Sequence, residues 1–95
     1  MEIICRIISQ GELQEREYTT QQGAKEKFAT MPFVLARGGD TFHCEMVQDQ
    51  ARRQAKLDPA YYYMASLQAQ ARPWQDAQGA THYENRLTLN RIATL

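Results

Sequence analysis

The chain has 95 residues, enough to enclose one hydrophobic core and no more, so residues 1–95 are expected to form a single domain. Hydrophobic residues make up 43% and charged residues 23%, a balance that excludes a disordered chain. Eleven basic and 11 acidic residues give zero formal net charge, which excludes a uniformly basic nucleic-acid-binding surface.

Glu2 to Ser9 reads as a first strand, isoleucine-rich over a short span. Arg6 breaks this longest apolar run, so neither a signal peptide nor a membrane span is expected and a cytoplasmic location follows. Gly11 marks a bend or bulge, and Leu13 to Thr19 continues extended. Thr20-Gln21-Gln22-Gly23-Ala24 is turn chemistry, which makes a hairpin with the next run. That run, Lys25 to Ala36, carries Phe28, Met31, Phe33, Val34 and Leu35, and Pro32 inside it implies an edge position or a bulge.

Arg37-Gly38-Gly39-Asp40 is a second turn, because glycine enters positive φ at little cost. Thr41 to Val47 is the third strand, with Phe42, Cys44 and Met46 on one face and His43, Glu45 and Val47 on the other. Cys5 and Cys44 both lie in strand-like runs without CxxC spacing, so buried free thiols are expected in place of a disulfide or a metal site. Gln48 to Leu57 favours a helix of two or three turns, ended by Asp58-Pro59. Tyr61 to Arg72 returns to period two, with Tyr61, Tyr63, Ala65, Leu67 and Ala69 on the core face and Tyr62 opposite. A polar loop from Trp74 to Ala80 then leads to a last strand, Thr81 to Ala93. The fold class is therefore mainly β, ordered as three strands, one short helix and two strands.

That order is the plan of the five-stranded OB barrel, whose helix lies between strands three and four. The run YYYMASLQAQARPWQDAQGATHYENRLTL, Tyr61 to Leu89, resembles the strand four, loop, strand five hairpin of bacterial single-stranded-DNA-binding proteins. There a tyrosine-rich strand leads to a basic residue, a tryptophan, a polar loop with glycine and a tyrosine opening an aliphatic strand. Thr41-Phe42-His43-Cys44 is similar to the family's aromatic-His pair, and Arg16 to Gly23 weakly resembles its first turn. The resemblance implies a single OB-fold domain that binds single-stranded DNA without sequence preference, as a homodimer or homotetramer, during replication, recombination or transfer of a mobile element. Asn90 to Leu95 has none of the family's acidic recruiting tip, so a bare barrel is expected, similar to the phage and plasmid binders and the primosomal relative. The stacking aromatic of the family's strand two to three turn has no counterpart near Arg37 to Asp40.

Single-strand binding needs aromatic faces for bases and cations for phosphates. Residues 50 to 95 hold Arg52, Arg53, Lys56, Arg72, Arg86 and Arg91 against Asp58, Asp76 and Glu84, so an anionic partner should favour the second half. Trp74 at the loop mouth is the leading stacking candidate. Phe42 shares its face with Cys44 and Met46 and fits either the core or the binding face; the resemblance favours binding. Tyr62 is the outward member of the tyrosine triplet, suited to a base or to an oligomer partner. Lys25, Lys27, Arg37, Arg72 and Arg86 are the expected phosphate contacts, while Arg52, Arg53 and Lys56 on the helix are read as solubilising charges. No phosphate-binding glycine loop or metal-ligand spacing is present, and His43 and His82 are isolated bases, so no enzymatic activity, metal or cofactor is expected. Two other readings are open: an OB adaptor for proteins of a replication complex, and an RNA-binding OB domain.

Overall fold

A computed structural model describes residues 1–95. The chain is mainly β: β1 (Glu2–Gln10), β2 (Gln14–Thr19), β3 (Lys25–Arg37), β4 (Asp40–Val47), α1 (Gln48–Arg53), β5 (Tyr62–Gln75) and β6 (Thr81–Thr94). Strand pairing runs β1–β5–β6–β4–β3 and returns to β1, with β2 outside the cycle on β3. All pairings are antiparallel except β4–β6, a single parallel pair between Glu45 and Thr88. That join is the thinnest in the cycle.

Alternation explains which residues fill the interior, since a strand sends every second side chain to one face. Ile3, Cys5 and Ile7 of β1, Met31, Phe33 and Leu35 of β3, Cys44 and Met46 of β4, Tyr63, Ala65 and Leu67 of β5 and Leu89 of β6 form one buried cluster. Ala51 closes it from α1. Both cysteines are free thiols, as their spacing implied. Burial pushes the Cys44 thiol up to about 12, with Cys5 and Glu45 adding to the effect.

Gly11 and Pro32 account for the separation of β1 from β2. β3 pairs with β2 from Lys25 to Thr30 and with β1 from Phe33 to Ala36, so Pro32 lies where β3 changes partner. A proline there removes no ladder donor from that edge. Its carbonyl accepts the Gly11 N–H at 2.8 Å, and a Cβ on Gly11 would meet Pro32 Cγ at 2.5 Å. Only glycine fits this corner.

The helix is shorter than its composition implies. It spans six residues and stops at Arg53, because Gln10 captures the chain that follows: its Nε2 donates to the Ala55 carbonyl at 3.1 Å and its Oε1 accepts from Leu57 N–H at 2.9 Å. Gln48 enters the helix at φ 57°, a region side chains seldom adopt, while its Oε1 accepts the Ala29 N–H at 3.2 Å. Arg52 is a clasp rather than a solubilising charge. It binds Glu15 at 2.8 Å, Asp49 at 2.8 Å and the Lys27 carbonyl at 3.1 Å, joining α1 to the β2–β3 ribbon.

Two residues assigned to the core face by period two lie outside it. Tyr61 precedes β5 and is exposed, and Ala69 is exposed because the β5–β6 ribbon continues past the last core layer at Leu67 and Leu89. From Gln68 to Gln75 and from Thr81 to Arg86 the two strands have only each other as ladder partners. Sequence periodicity gives a face but not the point where a strand leaves its neighbours. No helix is long and apolar enough to cross a membrane.

Candidate nucleic-acid interface

On the outer face of the sheet, β3, β4, β5 and β6 enclose an open cleft of about 390 Å³. Phe28 contributes from β3, His43 and Glu45 from β4, Arg72 from β5, and Glu84 and Arg86 from β6. The register explains why they share a face. Gln70 is paired with Arg86, Arg72 with Glu84 and Trp74 with His82, so alternation sends these six side chains to the same side of the ribbon. Trp74 lies two residues beyond Arg72, about 7 Å farther along the strand. It continues the surface that begins at Phe28.

The cleft is polar and close to charge-balanced. Arg86 Nε lies 2.7 Å from Glu84 Oε1, and this hydrogen bond holds the guanidinium above its ordinary pKa, with further support from the charges of Glu84 and Glu45. Both partners are about half exposed, so water and salt screen the pair and a phosphate can compete for the arginine. Arg72 makes no ion pair and is exposed. It is the cleft cation most available to an anion.

The hairpin tip is ordered around Asp76. Its Oδ1 accepts the N–H groups of Gln78 at 2.9 Å and Ala80 at 3.0 Å, and Oδ2 lies 2.7 Å from His82 Nε2. These contacts, His82 first and the two amides next, hold the Asp76 carboxyl below the usual aspartate range. The His82 ring in turn stacks on Trp74, with centroids 4.7 Å apart and planes inclined by 25°. Trp74 remains 50% exposed, so much of its surface is open to solvent.

No family model matches this chain, and no curated protein matches it. The site therefore rests on its own geometry.

Of the eight residues proposed from the sequence, the fold brings three together: Trp74, Arg72 and Arg86. Phe42 is half-buried and packs against the core, and its ring meets the Arg37 guanidinium 5.7 Å from the centroid. Arg37 also pairs with Asp40 at 3.5 Å in the β3–β4 turn and does not line the cleft. Tyr62 lies outward near the start of β5, beneath the Arg6 guanidinium at 5.5 Å, about 40 Å of strand from Trp74. Lys25 and Lys27 have the parity of buried Ala29, opposite to that of Phe28. They belong to the face of the β2–β3 ribbon that carries Glu15 and Glu17, where Lys25 pairs with Glu17 at 3.8 Å. One residue inverts their role.

Phe28 is the functional candidate that sequence reasoning assigned to an ordinary apolar strand. It is 41% exposed, and Arg16 is its cross-strand partner on the same outer face. The available signal was its position directly after Lys27 and three residues before Met31, the first methionine of the core cluster. His43 likewise lies on the cleft wall.

Proposed function

We propose that this chain is an OB-type barrel that binds single-stranded DNA without sequence preference and coats or protects exposed strands in replication, recombination or mobile-element transfer. The observation that carries this reading is the outer-face surface on which Phe28, His43 and Trp74 supply rings and Arg72 and Arg86 supply cations. Bases stack on any π-face and phosphates bind any accessible guanidinium, so this surface suits a strand of any sequence. The cyclic strand order, the helix between β4 and β5 and the parallel contact between β4 and β6 support the OB assignment. So does the likeness of Tyr61 to Leu89 to the hairpin of bacterial single-stranded-DNA-binding proteins. The proposed activity is binding in the cytoplasm with no chemical step.

Titration with fluorescently labelled oligo(dT) tests this. Trp74→Ala is expected to cost about 1–3 kcal/mol of binding, and Arg72→Ala to lower the slope of log affinity against log salt by about 0.7. Salt-insensitive binding, or none, overturns the proposal. A parallel titration with oligo(U) separates DNA from RNA binding.

A second reading, a protein-interaction adaptor, is favoured by a different surface. Ile4, Ile8 and Tyr62 stand exposed on the outer face of β1 and β5, away from the cleft. In the leading reading this face joins protomers into a homodimer or homotetramer. If Trp74→Ala leaves oligo(dT) binding intact while Ile4→Glu abolishes self-association or partner binding, the adaptor reading replaces strand binding.

A further inference from the structure

Trp74 is the chain's single tryptophan, and it does not stand free. Its cross-strand partner His82 covers one side of the indole as a stacked ring, 4.7 Å between centroids. Asp76 fixes the imidazole from its far edge: a carboxylate only accepts, so His82 Nε2–H donates to Asp76 Oδ2 at 2.7 Å. Asp76 is itself held by Gln78 and Ala80, and the Asp76 N–H donates to the Ala80 carbonyl at 3.1 Å. A chain of contacts thus runs from the tip backbone through a carboxylate and an imidazole to one face of the indole.

We propose that His82 is a positioning residue for the stacking face of Trp74: it occupies one side of the indole and thereby presents the other to a single nucleic-acid base. This rests on the strand-binding reading and adds to it the device that makes the platform ready before a strand arrives. An exposed tryptophan on a two-stranded ribbon with no further strand on either side would otherwise sample several rotamers, and fixing one of them is an entropic cost of binding. A preformed aromatic pair has already met that cost. The other charged side chains on this face of the ribbon, Arg72, Glu84 and Arg86, lie toward the cleft, and Glu84 engages Arg86, so Asp76 is the group that orients His82. Because His82 occupies one side of the indole, the site is also limited to one base per tip.

Four variants, Trp74→Ala, His82→Ala, His82→Phe and Asp76→Asn, are compared with the wild type in oligo(dT) binding by anisotropy of a labelled oligonucleotide. In the free proteins that retain Trp74, quenching of its emission by acrylamide is also measured. An aromatic pair is worth about 0.5–1.5 kcal/mol, so His82→Ala is expected to weaken binding by about 2- to 12-fold. His82→Phe, which restores a ring without a charge, is expected to bind within about twofold of the wild type. Acrylamide is expected to reach Trp74 more readily in His82→Ala and Asp76→Asn than in the wild type or His82→Phe. A purely structural role for His82 would not give rescue by phenylalanine in both measurements. Binding by His82→Ala equal to the wild type while Trp74→Ala is weakened overturns the positioning role alone. His82→Phe as weak as His82→Ala, or quenching unchanged in His82→Ala, overturns it too. Trp74→Ala binding like the wild type, or no binding by the wild type, overturns strand binding at this tip and the positioning role with it.

Discussion

Asp76 illustrates how one short side chain organises a loop. Its carboxylate replaces water at two tip amides and meets His82, while Gly79 takes φ 82° so that the turn closes. A carboxyl whose folded pKa lies below its unfolded value contributes stability that is complete above the unfolded value and is lost as pH falls through the folded one. The tip is therefore expected to loosen only on the acid side of the usual aspartate range. The amide shifts of Gln78 and Ala80, followed by NMR against pH, should change with a midpoint below that range and should not titrate in Asp76→Asn. A midpoint at or above the ordinary aspartate value contradicts the assignment. Phe28 and Lys27, neighbours in sequence, show the same dependence on detail from another side: alternation gives one to the cleft and the other to the Glu15 face.

Among the elements, the corner between β1 and β2 is where backbone chemistry sets the architecture. β3 is 13 residues long and serves two partners in succession, so the chain must turn from one to the other at Gly11 without a side chain against Pro32. Gly11→Ala requires Pro32 and its strand to shift, and overpacking of this kind costs about 1–3 kcal/mol. Urea denaturation should report that loss; stability equal to the wild type would show that the corner has room. The bend was readable from Gly11, and the hairpin from the polar run Thr20 to Ala24. The length of α1 was not. Composition favours helix through Leu57, but Gln10, more than 40 residues upstream, ties down Ala55 and Leu57 in extended form. A long-range competitor for backbone groups leaves no trace in local propensity.

At the scale of the molecule, the core and the proposed strand-binding surface lie in different parts. The core cluster lies inside the strand cycle, whereas the ribbon that carries Arg72, Trp74 and His82 extends beyond it with every residue from Gln68 to Gln75 exposed or partly exposed. Phe33, fully buried at the centre of β3, is expected to cost about 3–5 kcal/mol on replacement by alanine, a large share of the roughly 5–15 kcal/mol typical of a small domain. Trp74→Ala, on an exposed ribbon, is expected to shift the thermal midpoint by no more than about 2–4 °C, since surface changes are usually within about 0.5 kcal/mol. Calorimetry on the two variants checks this separation: comparable losses of stability in both would mean that the ribbon belongs to the cooperative core. The separation also lets the binding variants be read as binding variants.

By itself the sequence determined a mainly β chain with one short helix, the two free cysteines, the inward parity of Tyr63, Ala65 and Leu67 in β5, and the candidacy of Trp74, Arg72 and Arg86. All of these follow from local rules, namely alternation, turn residues and the proximity in sequence of residues on one hairpin. Tertiary structure alone decided that Phe28 and His43 share a cleft with those arginines, that Lys25 and Lys27 turn away from it, that Phe42 packs on the core and that Arg52 is a clasp. Each depends on which strands become neighbours and where a strand leaves its partners. Those are set by closure of the whole sheet around one core, a global condition that no short window of sequence contains.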